Sequence, residues 1–405
     1  MDPLRRLTGL SVEEFADRHW AKAPLLRRAA ELPGDGFADV LDLPSVDELV
    51  SRRGLRTPFL RMAREGQVRS AGSYTRAGGA GAEIADQAAD DKVLAELAAG
   101  STLVLQGLHR MWPPVVELIA ALTAQLGHPA QVNAYITPAQ NRGFDPHYDV
   151  HDVFVLQFAG RKHWRIHEPV LEAPLRDQPW DQRRGAVAAK AEGEPVIDTV
   201  LEPGDVLYLP RGYLHSASAL GAVSGHLTIG VQPVTRAFLA EQVLGTLSSD
   251  VELRRSLPVG TDLAEPDVLG PELKATREAL HAAIDRLDDQ QVAGAVRRHL
   301  GATTRPAPLS PLAQLEAAEA LSAAFAVRLR PGLRCHLVTA GDGVRLDLPD
   351  KSLSLPGSVR GAVEALLDRD DHVLAGLPGV DEADAVTLAA RLLREGVVVP
   401  ADSSR

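Results

Sequence analysis

One cysteine, Cys335, in 405 residues has nothing to pair with, which excludes an internal disulfide and any cysteine-rich zinc site. Net positive charge is lacking too. The formal balance is −11, so long-range attraction to nucleic acid or an anionic membrane is not expected, while a basic protein partner stays compatible. No stretch approaches the roughly 18 uninterrupted apolar residues of a membrane span. Met1-Asp2-Pro3-Leu4-Arg5-Arg6 leads into mixed polar sequence rather than the apolar stretch of a secretory leader, and the chain reads as soluble and cytoplasmic. Lysine is scarce, six among 43 basic residues, so each one stands out against an arginine background. What is there is ordinary for a globular protein: 45% hydrophobic and 24% charged residues, in a length sufficient for two or three domains.

Residues 1 to about 120 read mainly as helices, with Ser11-Val12-Glu13-Glu14-Phe15 as a capped start and apolar spacing over 86–99 and 114–126. From about Gln131 the texture changes to short apolar strands (132–136, 153–158, 163–166, 196–200, 206–209 and 227–231) separated by turns, the pattern of an all-β barrel or sandwich. Phe158-Ala159-Gly160-Arg161-Lys162 reads as a hairpin connection, and Glu202-Pro203-Gly204-Asp205 as a turn before a strand. After Val234 the pattern is helical over 237–246 and 271–299. Ile284, Leu287, Val292 and Val296 leave an apolar stripe that predicts a homodimer through residues 236–303. A proline-rich linker, 302–311, precedes helices and a short hairpin that suggest a winged-helix-like domain over 311–405. That region holds 14 acidic and 10 basic residues, a net −4, which argues against direct DNA binding.

The most informative residues are His147-Tyr148-Asp149 and, much later, His215. Residues two apart on a strand share a face, so His147 and Asp149 can grip one ion together. His215 follows an apolar strand and Pro210-Arg211-Gly212-Tyr213, which places it near a strand end, where barrels open. Two imidazoles and one carboxylate leave open positions on a metal, the ligand set of non-haem Fe(II) oxygenases when facial. His151 would share that face on a regular strand and reads as a pocket-lining residue rather than a ligand. His163 and His167 can face either way, and His226 is a candidate lining residue of the cofactor pocket. For Lys162 two readings stay open: a buried cation awaiting an anionic partner, or a solvated turn lysine beside Arg161.

His147 to Gln157, then Gly160-Arg161-Lys162-His163-Trp164-Arg165, then Pro203 to His215 resemble the cupin-like JmjC oxygenases known as ribosomal oxygenases. The likeness is densest from Asn133 to Val231, and Phe15 to Arg28 resembles the family's entry segment. It implies a mainly β double-stranded β-helix with N-terminal helices over 1–235, an all-α dimerisation region over 236–303, and a C-terminal winged-helix-like domain over 311–405. It further implies Fe(II) at His147, Asp149 and His215, and 2-oxoglutarate with its 5-carboxylate on Lys162. Asn133 and Tyr135 become further pocket residues. The expected reaction is hydroxylation of a protein side chain, a histidine or arginine of a ribosomal protein, coupled to oxidative decarboxylation of 2-oxoglutarate. Competing readings are a hydroxylase of a small peptide or natural product, a cupin enzyme that uses no 2-oxoglutarate, and a non-catalytic cupin scaffold that binds a partner.

Overall fold

The computed structural model describes residues 2–34, 36–64, 66–81, 83–139, 145–260 and 262–401. By internal contacts the chain divides into two units, Met1–Pro233 and Val234–Arg405.

The first unit rests on an antiparallel sheet. Its order is Leu25–Arg27, Val206–Leu209, Asp152–His167, Leu214–Val231, Ala130–Thr137, Thr102–Leu105, Leu60–Arg64 and Gln67–Val68, with Ile197–Leu201 pairing the second half of Asp152–His167. Strand alternation sorts the side chains. Val132, Ala134 and Ile136 enter the main core, together with Leu103 and Leu105, and Asn133, Tyr135 and Thr137 face the other way. Helices Pro3–Thr8, Leu43–Arg52 and Pro113–Leu126 cover the core face through Leu4, Leu7, Leu49, Ile119 and Leu122. Each such large side chain, when fully buried, contributes about 1.5–3 kcal/mol. Ser11 and Glu14 form the expected capping box at the start of Val12–Arg18. The first 120 residues are less helical than their pattern predicts, since Leu60–Arg64 and Thr102–Leu105 join the sheet. Four consecutive buried residues, Thr102 to Leu105, hide the alternation that marks a half-buried strand.

Residues 158–162 are not a hairpin. Strand Asp152–His167 runs straight through them for 16 residues. Against Leu214–Val231 the register slips: Ala159 pairs with Gly225 and Gln157 with His226, which leaves Phe158 as the extra residue of a β-bulge. The Phe158 ring occupies the space above Gly225, where an added Cβ would stand 2.4 Å from it. Gly160 has φ +59°, and a Cβ there would lie 2.2 Å from the Val223 carbonyl oxygen. The glycine marks a kink in one strand rather than its end.

The second unit begins with helices Arg236–Leu247, Pro266–Asp285 and Asp289–Thr303. The helix expected over 271–299 is therefore two, with Asp288 capping the second through the Gln290 amide. Helix Pro311–Glu319 follows. A sheet of His372–Val373, Ala326–Leu329 and Val398–Pro400 and a meander of His336–Ala340, Gly343–Asp347 and Ser352–Pro356 then enclose a core with helices Arg360–Leu366 and Glu382–Arg394. The meander's third strand goes beyond the expected hairpin.

Gly160→Ala is expected to lower the unfolding free energy by about 1–3 kcal/mol, because the left-handed backbone and the close Val223 carbonyl both oppose a methyl group. Urea denaturation measures this. Unchanged stability would mean that the kink relaxes freely.

Candidate metal centre

His147 and Asp149 lie outside regular strand, in an extended segment that precedes Asp152–His167. One antiparallel pair replaces the strand assumed from the pattern. The His147 amide donates to the His215 carbonyl (3.2 Å) and the His215 amide to the His147 carbonyl (2.8 Å). Directly opposed residues present their side chains on one side, and the two imidazole centroids stand 4.4 Å apart. The Asp149 carbonyl accepts from the Gly212 amide at 3.0 Å, which continues the pairing by one step. Asp149 Oδ2 then lies 3.7 Å from His215 Nε2, and one ligand atom from each of the three residues falls within 4.8 Å of the others.

The donor atoms are prepared. His147 Nδ1 lies 2.8 Å from the Asp145 carbonyl and His215 Nδ1 3.2 Å from the Tyr213 carbonyl. A proton on each Nδ1 satisfies those oxygens and leaves both Nε2 lone pairs for an ion. Burial, then the neighbouring His147, pushes the His215 imidazole down to about 4, so it is neutral and able to ligate at pH 7. Burial works to raise the Asp149 carboxyl, but the positive charge that His151, His215 and His147 carry when protonated pulls it the other way, and the net shift is downwards. Tyr148, between the two ligands, is buried and donates its hydroxyl to the Gln178 carbonyl at 2.9 Å. It packs with Val187 and with Leu214, the neighbour of His215, so the 168–191 connection braces both ligand segments from behind.

The triad forms one end of a pocket of about 90 Å³, lined also by Thr102, Tyr135, Thr137, Lys162, Trp164 and His226. Lys162 is 3% exposed and sits in the middle of a strand, which excludes the solvated-turn reading. Its Nζ donates to Thr137 Oγ1 at 3.1 Å and lies 2.8 Å from His226 Nδ1. Among the described residues no carboxylate pairs with it, and burial pushes its amine down to about 7. A buried cation without an anion, one pocket length from an open ligand set, fits a small dicarboxylate that also reaches a metal. The donor set suits a divalent first-row ion equally well.

The other candidates fall into three places. Tyr135 and His226 line the pocket, stacked on each other at 5.1 Å with 8° between the rings. Asn133 shares their strand face, but its side-chain oxygen accepts from the Gly107 amide at 3.1 Å, and it is not among the lining residues. His151 does not line the pocket either. Its ring covers Gly230, where a Cβ would lie 2.3 Å away. His163 pairs with Asp198, and His167 is buried. Thr137 and Trp164 escaped the sequence reading, although each stands two residues from a named one, Tyr135 and Lys162, on the same strand face.

The JmjC domain family matches residues 113–239, a span that includes the triad and Lys162. Ribosomal oxygenase 1 of Rattus norvegicus is 40% identical over 170 residues, covering 40% of this chain and 28% of that protein. The Gallus gallus protein of the same name is 30% identical over 289 residues, covering 68% and 46%. The bifunctional lysine-specific demethylase and histidyl-hydroxylase NO66 of Drosophila erecta is 43% identical over 136 residues, covering 32% and 20%. The chain thus spans less than half the length of each of these curated relatives. Among solved structures, the Escherichia coli ribosomal oxygenase YcfD superposes over 96% of this chain and 98% of its own, with a TM-score of 0.54 and 19% identity. The complex of that protein with cobalt and 2-oxoglutarate covers 97% and 98%, with a TM-score of 0.53 and 19% identity. Those matches extend the shared fold over nearly the whole chain.

Lys162 sets a pH dependence of stability. Its folded value, about 7, lies below the ordinary 10.5, so the buried charge penalises the native state fully below pH 7, and the penalty lifts as pH climbs towards 10.5. Lys162→Met is expected to raise the melting temperature of the metal-free protein at pH 6, by a margin that shrinks between pH 7 and 10.5. Thermal melts across that range decide it, and no gain at pH 6 would show that the amine is compensated.

Proposed function

With residues 113–239 a JmjC domain and the chain a relative of the ribosomal oxygenases, we propose that it is an Fe(II)- and 2-oxoglutarate-dependent hydroxylase. Its substrate is a protein side chain, a histidine or arginine of a ribosomal protein. The observation that carries this reading is the joint presence, in one pocket, of an open two-histidine, one-carboxylate triad and a buried lysine that pairs with no carboxylate among the described residues. The histidyl-hydroxylase in the name of the NO66 relative favours histidine over arginine.

His147, Asp149 and His215 would hold the iron through both Nε2 atoms and a carboxylate oxygen, and Lys162 with Thr137 would take the distal carboxylate of 2-oxoglutarate. Bound together, iron and 2-oxoglutarate would supply the chemistry for C–H hydroxylation with O2 as the oxidant: one oxygen atom would go to the substrate carbon and the other to succinate, with CO2 released. The chain's own work is positional. A neutral His215 imidazole and an ionised Asp149 carboxylate offer their lone pairs to the ion without a proton to lose first. Val153, Val155 and Ala217 line the pocket with apolar surface and limit the water that reaches the reacting carbon.

Helices 236–303 fit a dimerisation region, since Leu239, Leu244, Leu273 and Ile284 are at least 40% exposed there. The 311–405 region fits a winged-helix-like domain. No described helix is long and apolar enough to cross a membrane, and a cytoplasmic site of action agrees with a ribosomal substrate.

Incubating the Fe(II)-loaded protein and 2-oxoglutarate with proteins extracted from purified ribosomes is expected to yield a peptide heavier by one oxygen in mass spectrometry. Asp149→Ala, which loses one ligand and one charge, should bind iron poorly and leave no such peptide. Full turnover in that variant would sink the metal assignment. Analytical ultracentrifugation at micromolar concentration is expected to give a particle of twice the 43.3-kDa chain mass. A species of single mass would remove the dimer.

A further inference from the structure

We propose that His226 is a positioning residue, which holds the Lys162 ammonium ready for a carboxylate by accepting one of its hydrogen bonds at Nδ1. The proposal rests on the 2-oxoglutarate reading above and extends it to a pocket-lining side chain that acts through Lys162.

The argument begins with hydrogen-bond inventory. A lysine ammonium has three donors and no acceptor. At 2.8 Å from Lys162 Nζ, His226 Nδ1 is therefore the unprotonated nitrogen whenever the lysine is an ammonium, and the ring proton then sits on Nε2. Thr137 Oγ1 takes the second donor at 3.1 Å. Among the described residues these are its two partners, so one N–H is left, the number that a single carboxylate oxygen needs.

The imidazole has little freedom to turn. Tyr135 stands directly opposite in the sheet register and stacks on one face, 5.1 Å away at 8°. Trp164 meets the ring edge-on, 5.3 Å away at 84°. The register slip between Gly225 and His226 comes just before it, and bulges re-aim the side chains beside them. His226 is 6% exposed, so solvent cannot replace the bond it accepts. Lysine carries four rotatable bonds, and holding its head group in advance reduces the ordering cost of binding an anion. A histidine that only filled space would need the ring but not the orientation of Nδ1.

That difference is the test. Titration calorimetry of 2-oxoglutarate into the Mn(II)-loaded full chain compares the wild type with His226→Asn, His226→Gln, His226→Phe and Lys162→Ala. Asparagine offers an amide oxygen near the place of Nδ1. Glutamine places its polar end near Nε2 instead, and phenylalanine keeps the stacked ring without an acceptor. A hydrogen bond to a charged group is worth on the order of 10- to 100-fold in affinity. His226→Phe and His226→Gln are accordingly expected to weaken cofactor binding by at least about 10-fold, towards the level of Lys162→Ala, with His226→Asn within about 3-fold of wild type. Should His226→Phe fail to fold, the asparagine and glutamine variants decide alone. Wild-type affinity in His226→Phe, or equal losses in the asparagine and glutamine variants, would overturn the proposal. A wild-type protein that binds Mn(II) but not 2-oxoglutarate would instead remove the cofactor reading, and this one with it.

Discussion

The two hydrogen bonds between the backbones of His147 and His215 are the constraint on which the pocket depends. They join an irregular segment before one long strand to the start of another. Because the pair is reciprocal, no side chain has to pull the imidazoles together. The ligand geometry is inherited from the sheet, and what must be built locally is only the choice of tautomer, which the carbonyls of Asp145 and Tyr213 supply from two residues earlier in each case. A centre assembled this way is as rigid as the sheet beneath it.

The opposite end of the pocket works against stability. Lys162 is buried beside a histidine and a threonine, none of them anionic, and the fold carries that penalty whenever the amine is protonated. In the proposed function the same unmet charge would give an incoming dicarboxylate its grip. Apolar residues between the two ends keep solvent from screening either. On that proposal, binding function and marginal stability are properties of one side chain.

How much of this was legible in the sequence depends on the range of the interactions. The spacing of His147 and Asp149 and the Gly-turn-strand approach to His215 were readable because each is local. Yet the strand assumed for the first pair is an irregular segment that owes its alignment to His215. Lys162 stayed ambiguous because Gly160 before it looks like a turn, and only the pairing with Leu214–Val231 turns the glycine into a kink. Asn133 had the parity of a pocket residue, but parity does not say how far along a strand the pocket reaches. The acceptor role proposed for His226 lay out of reach, since the register opposes Lys162 to Ala219 and His226 to Gln157, and the two side chains meet only across the register shifts between those pairs.

The donor set at His147, Asp149 and His215 has a consequence for the chain outside the test tube. Two imidazoles and a carboxylate bind divalent first-row ions in an order that follows the ion far more than the protein, with manganese and iron below cobalt, nickel and copper. Nothing in so small a ligand set excludes the tighter-binding competitors. Which ion a newly folded copy captures is then decided by the free metal pools around it, and a cell that let those pools drift would fill this pocket with an inert occupant while leaving the fold intact.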